Sequence, residues 1–342
     1  MDTSPSLETS PDEGRVDEGR AMAHVAVVGS YGVGLTMRLP RMPVAGETLS
    51  GGEFASGHGG KGSNQAVQAA RLGAEVDLLT AVGADAMGQA ARALWAGEGV
   101  RAHPVVVEDA ATMAGVILVE PSGENRIVIA SGALDHLAAA DVDAFRGRLA
   151  EADIAVVSLE IPIAAAVHAL QVAHAAGTRT LLNPAPASAL PEETWRAVDI
   201  LTPNATEAAI LLGLDPDAAA GASPTDLARE LHDRTGATVL LTCGGQGVVV
   251  CDEGGTTTVP AAPVRAVVDT TGAGDAFTAG VAVAIAEGAD PVAAARFAAR
   301  VGAYVVGHRE VVPALPTRTE LEGHHELDDD DVPDEHDVPD ER

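Results

Sequence analysis

An α/β fold is predicted for this chain: one three-layer α/β/α domain around a mostly parallel central sheet, with a small β-sheet lid. Strand-like and helix-like segments alternate for most of the 342 residues, as they do where helices cover both faces of a parallel sheet. Apolar residues make up 46% and aromatic residues 2%, so Ala, Val and Leu must build the core. Two stretches, 35–57 and 105–130, contain strand-like and turn-like segments without helices between them, and these predict the lid.

The first half of the chain shows the clearest alternation. The apolar run 24–28 (HVAVV) ends at Gly29, which predicts the first strand. The helix predicted from residue 162 opens on a proline, which suits the first helical turn because the missing N–H would have no partner there. In all, helices are predicted over 62–72, 86–96 and 162–175, and strands over 76–81 and 154–159.

The second half continues the pattern with shorter strands. Strands are predicted over 180–183, 200–202, 239–242 and 248–251, and helices over 204–212, 224–235, 272–287 and 291–306. The two ends of the chain, 1–21 and 321–342, are acidic and polar, a composition typical of disordered segments. The folded domain is therefore predicted over 22–320, between two disordered acidic tails.

Composition also limits the location and the partners. A net charge of −29 disfavours nucleic acids and anionic membranes as partners, because like charges repel. No apolar run of about 18 residues is present, as a membrane-spanning helix would need, and the acidic N-terminal residues do not resemble a signal peptide. Cys243 and Cys251 lie in apolar strand-like runs and are predicted to be buried free thiols. A cytoplasmic location is expected.

The run 268–277 (VDTTGAGDAF) is the first candidate for chemistry. Gly272, Ala273 and Gly274 are small, so a phosphate could approach the unpaired N–H groups at the start of the helix that follows. Asp275 would lie beside this cradle, where a carboxylate can accept the proton of a substrate hydroxyl. Alternatively, Asp275 only caps the helix, a role worth about 1 kcal/mol.

A glycine-rich turn, residues 59–66 (GGKGSNQA), leads into the first predicted helix. Lys61 is the only lysine of the chain, in which Lys and Arg together number 21. A lysine retained among arginines indicates a need for its compact ammonium group. Lys61 and Asn64 are three residues apart, so they can project from one side of the first turn, and both could reach a polyol. Alternatively, the turn is a flexible loop and Lys61 has no special role.

Two further polar turns follow predicted strands. In the first, TPNATE, Asn204 and Glu207 share one helix face, and the carboxylate could hold Mg²⁺ through water. An Asn followed three residues later by Glu is also a capping box, and the sequence alone favours this second interpretation. The other turn begins at Thr242 (TCGGQG); it could border a nucleotide or simply join two strands of a hairpin.

Together and in this order, these four segments resemble the ribokinase/PfkB family of sugar kinases, over about residues 25–316. The turn 59–66 resembles the family's first signature, 269–275 the second, and 202–207 its Asn-x-x-Glu motif. The resemblance implies a ribokinase-like fold and an ATP-dependent kinase that transfers the γ-phosphoryl group to a primary hydroxymethyl of a small sugar or nucleoside. It also implies ATP, Mg²⁺ and K⁺ as cofactors, and a homodimer in which the lid doubles as the contact surface.

The resemblance further implies a role for each matching residue. Asp275 would be the base, with Gly272, Ala273 and Gly274 as the anion hole. Glu207 would bind Mg²⁺ through water. Asp269 and Thr271 would belong to a monovalent-cation site. Besides Asp275, the sugar contacts would be Gly59, Gly60, Lys61, Asn64 and Glu160. The ATP site would be bordered by Asn204, Thr242, Gly244, Gly245, Gly247 and Gly274.

The sequence departs from the family pattern at the sugar pocket. Ribokinases read Gly-Ser-x-Asn-x-Asp after the first strand, whereas Gly32 and Gly34 stand here at the Asn and Asp positions. Leu134 stands where the family has another Asn, and Glu310 replaces a glycine of the cation site. The pocket is expected to have lost polar groups and gained room, so D-ribose is predicted to be a poor substrate. A larger or less hydroxylated compound, such as a hexose derivative or a nucleoside, should be better.

Several alternatives stay open from the sequence. The chain could be a true ribokinase that forms ribose 5-phosphate, a nucleoside kinase, or a non-catalytic sugar-binding protein on the same fold. A dehydrogenase is not favoured by the run 28–34 (VGSYGVG). Its glycine spacing does not fit a dinucleotide fingerprint, and Pro40 and Pro43 forbid the long helix that should follow.

Overall fold

The structure, a computed structural model, describes residues 22–122, 124–215 and 221–329. The predicted N-terminal tail, 1–21, and the last part of the predicted C-terminal tail, 330–342, lie outside these residues. Within the described ranges, no helix has the length and apolar character needed to cross a membrane.

The described residues form thirteen strands and nine α-helices, in the alternating order that the sequence predicts. The strands are β1 (His24–Val28), β2 (Gly32–Arg38), β3 (Glu53–Gly59), β4 (Glu75–Gly83), β5 (Arg101–Val107), β6 (Ala114–Val119), β7 (Asn125–Ala130), β8 (Ile154–Ser158), β9 (Arg179–Asn183), β10 (Ile200–Leu201), β11 (Thr238–Thr242), β12 (Val248–Asp252) and β13 (Gly255–Val259). The helices are α1 (Lys61–Arg71), α2 (Ala86–Gly97), α3 (Ala139–Glu151), α4 (Ile163–Ala175), α5 (Ala205–Leu211), α6 (Pro224–Thr235), α7 (Ala273–Ala286), α8 (Pro291–Val306) and α9 (Arg318–Asp329).

Nine strands form the main sheet, in the order β13-β12-β11-β10-β9-β8-β1-β4-β5. The strands from β11 to β5 run parallel to their neighbours, and β12 and β13 add antiparallel strands at one edge. The strand order reverses at β1, which pairs with β4 on one side and with β8 on the other. Such a reversal opens a crevice at the carboxyl ends of the two strands, the usual ligand position in open parallel sheets.

Side chains of the main sheet alternate between two helical layers, because successive residues of a strand point to opposite faces. In β1, Val25 and Val27 belong to one buried cluster, with residues of α1, α2, α7 and α8. Ala26 and Val28 belong to the other, with residues of α3, α4, α5 and α6. The predicted three-layer architecture is therefore confirmed, and its core is built mainly from Val, Ala and Leu.

The lid is a separate four-stranded sheet in the order β3-β2-β6-β7. It stands at the carboxyl end of β1, because β2 follows β1 after three residues and β3 leads directly into α1. Two contacts fix it to the main domain. Tyr31, whose ring packs edge-on against Trp95, shares a hydrogen bond of 2.7 Å with His58 Nδ1, and the Thr112 N–H donates to Asp85 Oδ2 at 2.8 Å.

Some predicted boundaries are wrong. The lid segment predicted over 105–130 begins too early, because residues 105–107 end β5, which pairs with β4 in the main sheet. Pro104 makes this segment unlike a strand in the sequence. Proline is nevertheless tolerated there because β5 is an edge strand. Neither α3 nor β13 was predicted. The boundary predicted at residue 321 falls inside α9, where Leu321 is 4% exposed.

The packing of α9 gives a stability test. Leu321 belongs to the buried cluster that includes α7 and α8, so Leu321→Ala should lower the free energy of unfolding by about 2–4 kcal/mol through lost contacts and a cavity. The matched control is Leu214→Ala, because Leu214 is 41% exposed and should cost much less. Urea denaturation of the two variants measures both values. Equal effects would show that α9 does not pack against the core in solution.

Candidate active site

The N-terminus of α7 lies at the crevice, since α7 contacts both β1 and β8. The helix begins after Gly272, whose φ of 83° is left-handed, a conformation that glycine adopts without steric cost. A Cβ at Gly272 would lie 2.7 Å from Val311 Cγ1, whereas a Cβ at Gly274 would meet no atom within 4 Å. The space in front of the first turn is therefore open, and an anion can approach its N–H groups.

Asp275, in that first turn, is only 6% exposed, and both of its carboxylate oxygens accept hydrogen bonds from α1. Asn64 Nδ2 donates to Oδ2 at 2.8 Å, and Gln65 Nε2 donates to Oδ1 at 3.3 Å. The carboxylate is thus held by another helix, and the interpretation of Asp275 as a simple helix cap is not supported. The starts of α1 and α7 meet at this carboxylate.

The glycine turn before α1 is closely packed. Gly60 has a φ of 89°, and a Cβ there would lie 2.6 Å from the Cα of Tyr31. The Lys61 N–H donates to Glu160 Oε2 at 3.0 Å, and Ser30 Oγ donates to the same oxygen at 2.6 Å. Because Ser30 follows β1 and Glu160 follows β8, the turn ties the two strand ends together across the crevice. The flexible-loop interpretation is not supported.

The charged groups of the crevice influence one another. Burial lowers the pKa of Lys61, but the negative charges of Asp275, Glu160 and Glu207 outweigh it, so the pKa is raised. Burial raises the pKa of Asp275, against the opposing influence of the Lys61 charge. Burial also raises the pKa of Glu207. One cation therefore lies among three acids, and the most deeply buried acid binds protons more readily than an ordinary aspartate.

A buried amide network that the sequence analysis missed lies beside Asp275. Gln65 Nε2 donates to Asn183 Oδ1 at 3.1 Å as well as to Asp275. Asn183 Nδ2 in turn donates to the Thr202 carbonyl at 3.1 Å. The sequence did contain a signal for Asn183, because this residue is the polar end of the buried strand β9. The carboxyl ends of parallel strands meet at the edge of the sheet where ligands usually bind.

Asn204 and Glu207 form a reciprocal capping box at the start of α5. The Glu207 N–H donates to Asn204 Oδ1, and the Asn204 N–H donates to Glu207 Oε2, both at 2.8 Å. The capping-box interpretation is therefore confirmed, although the charge of Glu207 also acts on Lys61. Thr242 forms an isolated bridge with Asn204, and its N–H donates to the Pro203 carbonyl at 2.9 Å. The two polar turns therefore lie side by side at the carboxyl ends of the neighbouring strands β10 and β11.

The turn after Thr242 joins β11 to its antiparallel neighbour β12, so the hairpin interpretation is confirmed. Gly247, with a φ of 92°, is required by the fold, because a Cβ there would lie 2.1 Å from the Val259 carbonyl oxygen. At Gly244 and Gly245 a Cβ would meet nothing within 4 Å. These two glycines border open space next to Asn204.

Asp269 and Thr271 lie in the turn that precedes α7. Asp269 Oδ1 accepts hydrogen bonds from the Thr271 N–H at 2.9 Å and from its hydroxyl at 2.6 Å. Glu310, on the loop after α8, has a φ of 66°, so it keeps the left-handed backbone that favours the glycine expected there. Within the described residues, no group of three or more His, Cys, Asp or Glu side chains could hold a metal ion.

Only part of the room expected in the sugar pocket is present. A Cβ at Gly32 would lie 2.3 Å from Met113 Cε, so the methionine fills that position. Leu134 is 1% exposed and packs in the core, so it neither enlarges nor lines an open pocket. At Gly34 the nearest atom to a Cβ would be Ile117 Cδ1 at 3.7 Å, an ordinary contact. Of these three departures from the family pattern, Gly34 is therefore the one that leaves space in the expected sugar pocket.

Known proteins resemble this chain in sequence and in fold. The profile described as pfkB family carbohydrate kinase matches residues 22–318. Ribokinase of Haemophilus influenzae is 37% identical over 297 residues, which cover 86% of this chain and 96% of the relative. Deoxyribokinase of Salmonella typhi is 33% identical over 296 residues, which cover 86% of this chain and 95% of the relative. Among solved structures, Arabidopsis thaliana ribokinase complexed with ribose and ATP matches with a TM-score of 0.80 at 28% identity, over 89% of this chain and 98% of that one.

Lys61 provides a direct test of the charge cluster, because it is the only lysine of the chain. Protein labelled with ¹³Cε-lysine should give a single lysine resonance in NMR, with a pKa above that of free lysine. Asp275→Asn should lower this pKa, since burial then meets less opposing negative charge.

The control for this titration is Asp226→Asn, because Asp226 is an exposed residue of α6 paired with Arg229. It should leave the pKa of Lys61 unchanged. An unchanged Lys61 pKa in Asp275→Asn would contradict the arrangement of charges in the crevice.

Proposed function

Because this chain belongs to the pfkB family of carbohydrate kinases, we propose that its crevice transfers the γ-phosphoryl group of ATP to a primary hydroxymethyl group of a sugar, with Asp275 as the base. The chain is an ATP-dependent sugar kinase of the ribokinase family. The observation that carries the proposed roles is the buried Asp275 carboxylate at the open N-terminus of α7, beside the charge of Lys61.

In the proposed step, Asp275 accepts the hydroxyl proton of the sugar as the oxygen attacks the γ-phosphorus. The new O–P bond forms while the bond from phosphorus to the bridging oxygen breaks, and ADP leaves with that electron pair. Negative charge on the transferred group would be met by the N–H groups of 272–274, the proposed anion hole. The Ala273 N–H also donates to the Thr270 carbonyl at 3.3 Å, so the chief donor would be Gly274, where the approach is open. Orienting the groups and neutralising their charge supply most of the rate enhancement in such reactions.

On the sugar side, the proposed contacts are Lys61, Asn64 and Glu160, with the backbone of Gly59 and Gly60. Lys61 and Glu160 are joined through the Lys61 N–H. Asn64 Nδ2 donates to Asp275 Oδ2 at 2.8 Å, so the proposed sugar contacts lie around the proposed base. This supports the placement of the sugar between the starts of α1 and α7.

On the nucleotide side, we place ATP against the two adjacent turns that follow β10 and β11. Their juxtaposition through the bridge between Asn204 and Thr242 and the open space over Gly244 and Gly245 support this placement. Gly247 sets the conformation of the second turn. Gly274 would border the ATP as well as belong to the anion hole. The phosphates would then extend from the edge of the sheet toward α7.

The residues fit a Mg²⁺ ion that is bound mainly by the nucleotide. Mg²⁺ is usually held by one or two carboxylates with water and substrate phosphates, and Glu207 could serve as the carboxylate through water. When bound, the ion would neutralise phosphate charge. For a monovalent cation such as K⁺, we propose Asp269 and Thr271, whose turn leads directly into the anion hole.

For the acceptor, we propose a sugar or sugar-like compound that is larger or less hydroxylated than D-ribose, such as a hexose derivative or a nucleoside. The support is Gly34, which provides no carboxylate and leaves space on the lid. Losing a charged acceptor of this kind costs about 1.5–3 kcal/mol, or one to two decades in affinity. D-ribose is the second candidate, because relatives that match nearly the whole chain are named ribokinase.

We further propose that the enzyme is a homodimer that uses the lid. Five large apolar side chains of the lid are exposed by 42–70%, and a group of exposed apolar side chains is typical of an interaction surface. They are Phe54, Val116, Ile127, Val128 and Ile129. Sedimentation velocity of the full chain tests the dimer. The need for ATP supports a cytoplasmic location.

Replacing the proposed base is the first functional test. Asp275→Asn should lower kcat by about 10²–10⁴-fold, the range for a lost general base. The affinity for ATP should change little, since the carboxylate faces the acceptor. Coupled ADP-release assays and calorimetric ATP titration measure the two quantities. A variant that keeps most of its turnover would rule out Asp275 as the base.

The acceptor is tested by kcat/KM across D-ribose, 2-deoxyribose, fructose, other ketoses and nucleosides. The wild type should prefer a compound other than D-ribose. Gly34→Asp should raise kcat/KM for ribose by about one to two decades, because a carboxylate there regains a charged hydrogen bond and its Cβ finds only ordinary contacts. The control is Gly147→Asp, at an exposed position of α3 outside the lid, where a Cβ also meets no atom within 4 Å. If the wild type prefers D-ribose, the interpretation of Gly34 is wrong and the chain is a ribokinase.

A further inference from the structure

We propose that Gln65 is a positioning residue for the base: one side-chain amide, shared between Asp275 and Asn183, fixes the orientation of the Asp275 carboxylate and favours its ionised form. This inference rests on the proposed role of Asp275. Gln65 is 1% exposed, so it acts through Asp275 and is not itself a catalytic residue. None of the roles assigned from the sequence includes it.

The geometry leaves one way to orient the Gln65 amide. Asn183 Nδ2 donates to the Thr202 carbonyl, so its Oδ1 must point toward Gln65. The Gln65 amide therefore faces two acceptors, Asn183 Oδ1 at 3.1 Å and Asp275 Oδ1 at 3.3 Å. Only the NH₂ end can satisfy both, because a flipped amide would place an oxygen against two oxygens.

This arrangement has a cost that packing alone does not justify. With its NH₂ group committed to two acceptors, Gln65 leaves its own Oε1 buried and without a hydrogen-bond partner among the described residues. A leucine of similar size would avoid that cost. Gln68, further along α1, also leaves its Oε1 without such a partner, so what distinguishes Gln65 is the acceptor that its NH₂ group reaches, the carboxylate of Asp275.

The effect on Asp275 is electrostatic as well as geometric. Burial raises the pKa of this carboxyl, and the nearby charge of Glu160 adds to the rise, while Lys61 opposes both. Glu207 is the other acid of the crevice that faces Lys61. An N–H donated to the carboxylate stabilises its charged form. Asn64 and Gln65 each donate one, so loss of the Gln65 donor removes one of two such bonds and raises the pKa.

The test compares variants in the pH dependence of kcat with ATP and the best acceptor of the panel. A base must be ionised, so activity falls as the pH drops through the pKa of Asp275. Gln65→Leu should move this acidic limb upward by about one pH unit, the effect of one charge-assisted hydrogen bond. Gln65→Glu, which keeps the size of the side chain, should move it further because two carboxyl groups then share one buried site. The KM for ATP should stay unchanged.

A second readout does not depend on turnover. In ¹³Cε-lysine protein the single Lys61 resonance should show small acidic steps from the acids around it, and the step from the ionisation of Asp275 is the one absent in Asp275→Asn. This step should move upward in Gln65→Leu by the same amount as the kinetic limb. The matched control is Gln68→Leu. Gln68 lies one turn further along α1, is fully buried, and donates to the Pro316 carbonyl at 2.9 Å, so its loss should lower the melting temperature without moving either readout.

The outcomes separate this inference from the proposed function. A shift of both readouts in the Gln65 variants, with none in Gln68→Leu, supports the positioning role. If Asp275→Asn is inactive but Gln65→Leu and Gln65→Glu keep the wild-type acidic limb, Gln65 does not position the base, and Asp275 remains the base. If Asp275→Asn keeps its turnover, the proposed function fails, and the role of Gln65 fails with it.

Discussion

The buried carboxylate of Asp275 is the constraint on which the rest of the site depends. A lone carboxylate with 6% exposure would be strongly destabilised in its charged form. The surrounding structure therefore has to supply the hydrogen-bond donors and the positive charge that replace hydration by water. It does so with donors from Asn64 and Gln65, with the charge of Lys61 and with the positive end of α7. These come from two helices far apart in sequence, so the site exists only when α1 and α7 meet.

The fold fixes the position of each of the two helices through close backbone contacts with its other neighbours. Gly62 in α1 lies so near Gly29, after β1, that a Cβ on Gly62 would be 2.5 Å from the Gly29 carbonyl carbon. Gly280 in α7 similarly packs against Ala298 of α8, where a Cβ would lie 3.0 Å from the Cα. A core with 2% aromatic residues suits such close packing, because small side chains let helix axes and strands approach. The composition that predicted the fold class therefore also serves the site.

The sequence was most informative where local chemistry decides the structure. The helix predicted over 291–306 matches α8 at both ends, and the capping box at Asn204 was predicted because both partners lie within one turn. Contacts across long sequence distances were not predictable: Asn183 meets Gln65 across 118 residues, and no local pattern encodes that pair. The prediction of the lid boundary was wrong for a related reason. An edge strand of the main sheet and a lid strand have similar composition, so they cannot be told apart until their partner strands are known.

The two halves of the site differ in how tightly the structure constrains them. The half proposed for phosphoryl transfer is buried and charged, so a change in any one group leaves another unsatisfied and is costly. The part of the proposed acceptor half formed by β2 lies on a four-stranded lid outside the main core, and Gly34 has only ordinary contacts around the position of a Cβ. A side chain can be lost or gained there with little effect on the fold. For this reason the overall likeness to ribokinases supports the chemistry of the chain more strongly than it supports ribose as the acceptor.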